Sequence, residues 1–325
     1  MPSRLVIGVD IGGTKLAAGV VDRDLRVHQR VQRSIEAKDS ATLLDTMQDA
    51  VQELVKGSPA EIGGVGFGIP SLIDRRTGTS VVAINLPLDQ LRVEALMAER
   101  LGLTVAVDND GNVAALAEHR AGAGAGVRDL LMLTIGTGIG GGLILDGEVY
   151  RGAIGSGAEL GHMVLALDGP PCQGNCPNHG CLEAMASGMA LTREAHQLAA
   201  QRPDSALARA HAAGRALEGA LVTELAHDGD AAAREVLELI GTRLGVALSS
   251  YVNIFNPELI VLGGGVMGAG EMLLAPARAQ IAARALPPSR DVVRVERAHF
   301  GTEAGMIGAA VLALDEIDRR AGGAG

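Results

Sequence analysis

The 325-residue sequence has no tryptophan, only two tyrosines and only three phenylalanines. Single-stranded nucleic acid is usually held by bases stacked on aromatic rings, so no such platform is expected. Positive charge is not in excess either: 28 Lys and Arg face 38 Asp and Glu, a formal net charge of −10. A nucleic-acid surface needs a basic footprint, and this balance speaks against one. Long apolar runs are missing as well. The best candidate, Leu130 to Leu145, is broken by Gly and Thr and falls short of the roughly 18–20 residues of a membrane span. The opening MPSRLVIGVDIGGT carries one Arg and an apolar run that stops at Asp10, too short for a secretory signal. Cysteine is scarce: all three lie between Cys172 and Cys181, a poor disulfide framework. These absences predict a cytoplasmic protein that meets small molecules and has no nucleic-acid or membrane partner.

Glycine is plentiful at 45 residues, beside 47% hydrophobic and 20% charged residues. No G-X-Y period accompanies it, which excludes collagen, and the apolar stretches exclude disorder. The length suffices for one large domain or two medium ones. Strands are predicted at Leu5–Val9, Leu16–Val21, Leu25–Ser34, Ile62–Ile69 and Thr104–Val107, with a helix over about 40–56. Further helices are predicted at Val93–Arg100 and Asn112–Arg120. A second cycle opens with strands at Leu130–Ile135 and Gly141–Leu145. Helices at Gly188–Ala200, Gly214–His227 and Ala231–Asn253 follow, then a strand at Leu259–Leu262, and helices at Glu271–Ala285 and Glu303–Arg319. Val9-Asp10-Ile-Gly-Gly-Thr14 and Thr134-Ile-Gly-Thr-Gly138 are both strand, Gly/Thr turn, strand. This weak internal repeat suggests two related halves facing each other across a cleft, with a boundary near residue 118.

The Gly/Thr turns allow backbone N–H groups to approach phosphate oxygens, and a Thr hydroxyl adds a donor. Gly12, Gly13 and Thr14 form one candidate cradle, Thr137 and Gly138 the other. Asp10 stands where a carboxylate would hold the water shell of Mg²⁺. Gly136-x-Gly138-x-x-Gly141 matches a dinucleotide-binding pattern, but a short apolar strand follows it where that mechanism needs a helix. NAD binding is therefore not expected, and no Walker-type loop is present. Asn109-Asp110 places a carboxylate at a strand end, where it would accept a hydroxyl proton during phosphoryl transfer. Read alone, the same residue also suits a helix cap. Cys172, Cys176 and Cys181 supply three thiolates, with His162 upstream and His179 inside the loop competing to be the fourth ligand. A closed Cys₃His site for zinc would brace a loop without taking part in the reaction. Glu159 and Glu183 flank that loop. Together with Asn85 they offer the hydrogen-bonding groups that read sugar hydroxyls.

These motifs resemble, in order, those of the ROK family of sugar kinases and sugar-sensing regulators, over residues 5 to about 312. Asp10-Ile-Gly-Gly-Thr-Lys15 is similar to its first phosphate motif, Gly68-Ile-Pro70 with Asn85-Leu-Pro87 to its early sugar segment, and Asp108-Asn-Asp-Gly-Asn112 to its catalytic stretch. Leu133 to Gly142 and Gly157 to His162 resemble its central stretch, Cys172 to Glu183 its zinc loop, and Val261-Leu-Gly-Gly-Gly265 its adenosine-side turn.

The resemblance implies an α/β, actin-like, ribonuclease-H-like two-domain sugar kinase fold. The domains would be 1–118 with the C-terminal helix about 303–325, and 119–302 with the zinc loop 162–183. A homodimer or homotetramer is implied. Asp110 would be the general base. Gly68, Asn85, Asn109, Asp110, Glu159, His162 and Glu183 would contact the sugar. Asp10, Gly12, Gly13, Thr14, Lys15, Thr137, Gly138, Gly264 and Gly265 would hold Mg·ATP. His162, Cys172, Cys176 and Cys181 would bind structural zinc. The expected reaction moves phosphate from ATP to the 6-hydroxyl of a hexose, glucose first, with N-acetylmannosamine or fructose as alternatives. A non-catalytic sugar sensor is the remaining reading, set back because only nine residues precede Asp10 where regulators carry a helix-turn-helix. Two departures stand out. The family's Cys-x-Cys-Gly is here Cys172-Gln-Gly-Asn-Cys176, and Ser71 stands where a Gly often follows the Pro.

Overall fold

The computed structural model describes residues 5–36, 38–83 and 86–322. Apolar runs separated by a glycine turn make β1 (Leu5–Ile11) and β2 (Lys15–Val21), and the mostly polar, exposed stretch Val27–Ser34 makes the edge strand β3. They pair antiparallel, with Asp10 opposite Ala17. Helix α1 (Ser40–Gly57) begins where the Asp39 carboxylate accepts the Thr42 N–H, and buries Leu43, Leu44, Met47, Ala50, Val51 and Leu54 along one face. Strand β4 (Ile62–Ile69) returns parallel to β1, and β5 (Leu72–Asp74) and β6 (Thr79–Val82) form a small hairpin. Helix α2 (Val93–Leu101), strand β7 (Thr104–Asn109) and helix α3 (Asp110–Ala121) complete the first stretch. The sheet runs β3-β2-β1-β4-β7.

The chain continues with β8 (Leu130–Ile135), β9 (Ile139–Leu145), β10 (Glu148–Val149) and a short 3₁₀ turn at Leu160–His162. Helices α4 (Leu182–Ala186), α5 (Gly188–Gln201), α6 (Ala206–Ala212), α7 (Gly219–His227) and α8 (Ala231–Phe255) follow. Then come β11 (Leu259–Gly263), α9 (Glu271–Arg284), α10 (Ser289–Val292), β12 (Arg294–Arg297) and α11 (Ala304–Gly322). The second sheet runs β10-β9-β8-β11-β12. Both sheets thus pair a central strand with a hairpin partner on one side and with two parallel strands on the other, β1-β4-β7 in one and β8-β11-β12 in the other. The repeat read between the two Gly/Thr turns extends to this strand order.

The chain divides into two compact units: Met1–Arg128, Gly142–Ala158 and Ala298–Gly325 in one, Asp129–Gly141 and Glu159–Arg297 in the other. A boundary at 118 would fall inside α3, a continuous helix to Ala121, and the segment 142–158, containing β10, belongs with the first unit. In that unit, alternation along β1 sends Ile7 and Val9 to a core shared with α1 and α2, and Val6 to a core with Ala310, Ala313 and Leu314 of α11. Helix α11 lies close on the sheet because β4 has no side chain at Gly66. A Cβ there would overlap the carbonyl of Ala309. In the second unit, β8 and β11 are buried along nearly their whole length, as central strands covered on both faces are. The helix predicted from Gly214 begins only at Gly219, because α6 ends at Ala212 and the chain turns at Gly214 with φ 76°.

Candidate active site

In the first unit the site is built at the carboxyl end of β7. Asn109 leaves the strand and caps α3, its Oδ1 accepting the N–H groups of Gly111 at 2.8 Å and Asn112 at 3.3 Å. Its Nδ2 donates to the Ser71 carbonyl at 3.3 Å. The cap residue is therefore Asn109, and Asp110 is the first helical residue, half-buried with its Oδ1 accepting the Gly111 N–H at 3.0 Å. Burial pushes the Asp110 carboxyl above the ordinary carboxylate range, and its hydrogen bonds only partly offset this. Asp10, near the end of β1, is raised from 3.8 to about 7, first by burial and then by the charge of Asp110. Gly305, at the start of α11, leaves room for the Asp10 carboxylate, which a Cβ would overlap. Gly68 lies nearby on β4, its would-be Cβ 3.8 Å from Asp10 Oδ1. Gly12, Gly13, Thr14 and Lys15 form the exposed turn between β1 and β2, closed by a Gly12 N–H to Lys15 O bond of 2.8 Å. Asn85 lies outside the described residues.

Ser71, the departure from the family pattern, is buried. Its hydroxyl lies 2.6 Å from that of Ser80 and 2.9 Å from the Val82 carbonyl, stitching β5 to β6. Its own carbonyl holds Asn109, so this position supports the cap.

In the second unit, His162 closes the 3₁₀ turn that follows Glu159. The hydroxyl of the buried Tyr251, on α8, donates to the Leu160 carbonyl and fixes that turn. The segment from Val164 to Cys181 folds back on itself as an irregular hairpin: Leu165 N–H meets Gly180 O at 2.7 Å and Cys172 N–H meets Asn178 O at 2.9 Å. This brings Cys172 back toward Cys176, Cys181 and His162, whose ligand atoms all lie within 4.8 Å of one another. Cys176 and Cys181 sulfurs are 3.9 Å apart, and Cys172 Sγ is 3.4 Å from His162 Nδ1. A tetrahedral zinc with bonds of about 2.3 Å to sulfur sets its sulfurs about 3.8 Å apart, so the set fits that ion. His179 is outside the cluster, with Nδ1 3.2 Å from the Gly169 carbonyl. The other ring nitrogen of His162 lies 3.9 Å from Glu159 Oε2.

The Gly/Thr turn of this unit is tied to the same loop. Glu183, on α4, accepts the Ile139 N–H at 2.8 Å and lies 3.7 Å from Cys172 Sγ. Gln173, one of the residues that lengthen the Cys172–Cys176 spacing, donates to Thr137 O at 3.4 Å and to Ser187 Oγ at 3.1 Å. Thr137 is exposed and Gly138 half-buried, while Gly264 and Gly265 follow β11 directly.

Three supports escaped the sequence reading: Asp108 with Arg151, Tyr251, and Gln173. Asp108 carried a signal, since it adjoins Asn109-Asp110. Gln173 stood in the lengthened loop, but nothing local marks Arg151 or Tyr251, whose partners lie far away along the chain.

Two five-stranded sheets of like strand order, each with a Gly/Thr turn beside its central strand, and a raised carboxylate at a strand end of the first define a two-domain, actin-like sugar kinase fold. The chain belongs to the ROK family, whose model matches residues 6–316. It is 34% identical over 313 residues to a glucokinase of Halalkalibacterium halodurans, covering 95% of this chain and 94% of that protein. A ROK family glucokinase from Streptomyces griseus, solved with glucose and AMPPNP, superposes with a TM-score of 0.83 at 35% identity, over 96% of this chain and 99% of that one. A ROK family transcriptional regulator, homologous to the Escherichia coli MLC protein, superposes with a TM-score of 0.88 at 25% identity, over 98% of this chain and 79% of the regulator. Among the described residues no helix is long and apolar enough to cross a membrane.

Proposed function

We propose that this chain is a Mg·ATP-dependent glucokinase that converts glucose to glucose 6-phosphate. The observation that carries the reading is its likeness, over almost its whole length, to a glucokinase solved with glucose and a nucleotide. Asp110 would accept the proton of the 6-hydroxyl as that oxygen bonds to the γ-phosphorus and the bond to the β-phosphate oxygen breaks, releasing ADP. Its raised affinity for a proton suits a base that must take one. Asp10 would hold the water shell of the Mg²⁺ that arrives with ATP. Gly12, Gly13, Thr14, Lys15, Thr137 and Gly138 would face the phosphates, and Gly264 and Gly265 the adenosine. Gly68, Asn85, Asn109, Glu159, His162 and Glu183 would read the sugar hydroxyls.

His162, Cys172, Cys176 and Cys181 would bind zinc, which supplies a closed structural cross-link and no open position for chemistry. His162 would then place Nδ1 on the metal and leave Nε2, on the Glu159 side, for a sugar hydroxyl. A homodimer or homotetramer and a cytoplasmic location complete the proposal.

The test is ADP release from Mg·ATP with glucose, N-acetylmannosamine, fructose and mannose in parallel. Turnover that requires a sugar and ranks glucose first is the expected result. A higher kcat/KM for N-acetylmannosamine or fructose would move the assignment to another hexose. Sugar binding without ADP release would favour the sensing role of the regulators in this family.

A further inference from the structure

Asp108 is wholly buried at the end of β7. Its Oδ1 accepts the Asn109 N–H at 2.8 Å and the Asn112 side-chain amide at 3.0 Å. Its Oδ2 accepts Arg151 Nε at 2.6 Å. Arg151 follows β10 and is half-buried, its Nη1 also donating to the Val149 carbonyl at 3.4 Å. A buried ion pair gives little stability that an apolar pair of like volume would not, because desolvation cancels most of the attraction. What it does provide is direction, and here all the direction converges on the first turn of α3. Asn112 is held twice, by its side chain on Asp108 and by its N–H on Asn109. The Asn109 peptide is held by Asp108, and Asn109 in turn caps the helix whose first residue is Asp110.

We propose that Asp108 and Arg151 are positioning residues for the catalytic base: the pair fixes the Asn109 cap and so aims Asp110. Neither needs to touch a substrate. The inference rests on Asp110 being the base.

The experiment compares Asp108→Asn, Arg151→Met and the double variant, with Asp110→Asn as the reference. Melting temperature, kcat, and KM for glucose and ATP are measured for each. Misplacing a reacting group by about 1 Å can cost on the order of 100-fold, so each single variant is expected to lose about 30- to 100-fold in kcat, with KM for ATP within about twofold. Each single variant also leaves one charge of the pair without its partner, the wholly buried Asp108 carboxylate in Arg151→Met, and should melt lower. The double variant removes both charges and is expected to regain the melting temperature but not kcat. Recovery of both by the double variant would overturn the proposal, as would single variants that keep full kcat. Should the single variants fail to fold, the double variant decides alone. A double variant that also fails to fold would make the pair structural and defeat the inference. If instead Asp110→Asn keeps normal turnover, the assignment of the base itself fails, whatever the pair does.

Discussion

At the scale of single residues, Asp10 and Asp110 are two carboxylates that both hold protons more tightly than usual, and one of them adds to the shift of the other. Asp110 must be ionised to accept a proton. The acid limb of the pH profile of kcat/KM should therefore lie above the ordinary carboxylate range, with activity rising as pH rises through it. Because the two groups interact, that limb belongs to the pair. Asp110→Asn keeps the shape and removes the base, so kcat should fall by a factor of about 10²–10⁴. Its melting temperature above the titration range of the pair should be no lower than the parent's, since a buried charge is lost. Asp10 gives a different prediction, about stability. Its folded value of about 7 lies above the unfolded 3.8, so the folded state favours its protonated form. The stability this contributes is full below pH 3.8 and is lost as pH rises through about 7. Without Mg·ATP, Asp10→Asn should therefore melt higher than the parent at pH 8 and no higher below pH 4. The rise from 3.8 to about 7 sets a ceiling of about 4 kcal/mol, and solvent at its exposed edge keeps the gain well under it. A variant no more stable at pH 8 would show that Asp10 is not strained by ionisation.

Elements were more legible than their pairing. The Gly/Thr turns, the strand that ends at Asn109 and the helix that follows it all showed locally, as runs of one period cut by glycine or an Asx residue. Strand order did not, because the parallel pairings β1 with β4 and β8 with β11 join segments far apart in sequence. The support of the active-site elements was hidden for the same reason. Ser71 stands out in the sequence as a departure without a legible effect, until its hydroxyl is seen stitching β5 to β6 and its carbonyl holding Asn109. The glycines of β4 interrupt a predicted strand, and Gly66 marks where the Ala309 carbonyl of α11 comes into contact with the sheet. A side chain there must push α11 outward or bend β4. Gly66→Ala should cost about 3 kcal/mol, the upper end of ordinary overpacking, read as a lower urea midpoint at unchanged slope. A neutral result would mean that α11 shifts freely on the sheet.

Across the whole molecule, the two sheets share a strand plan, but the two units differ in what holds their sites in place. The first unit relies on buried polar bonds at the end of β7 and on α11 returning from the C-terminus. The second has a Cys₃His cluster, and its 3₁₀ turn, its Gly/Thr turn and the start of α5 are all bonded to the loop that carries the cluster or to residues beside it. The sequence displayed the cluster plainly, since three cysteines stand within ten residues. It left the fourth ligand open between His162 and His179, because the choice depends on how the loop folds back. This asymmetry predicts that a metal chelator acts on one unit only. Removing the ion would leave thiols with nothing to cross-link, and apparent zinc binding of about 10–16 kcal/mol in small peptides bounds the loss from above. In a larger protein, where much of the core remains, the second unit should melt about 5–10 °C lower. Scanning calorimetry should then show one transition moving while the other stays, with zinc measured in the released fraction. Cys176→Ser should reproduce the shift without chelator. A single transition that moves as a whole would mean that the units unfold together, and no shift at all would mean that the loop holds its shape without metal.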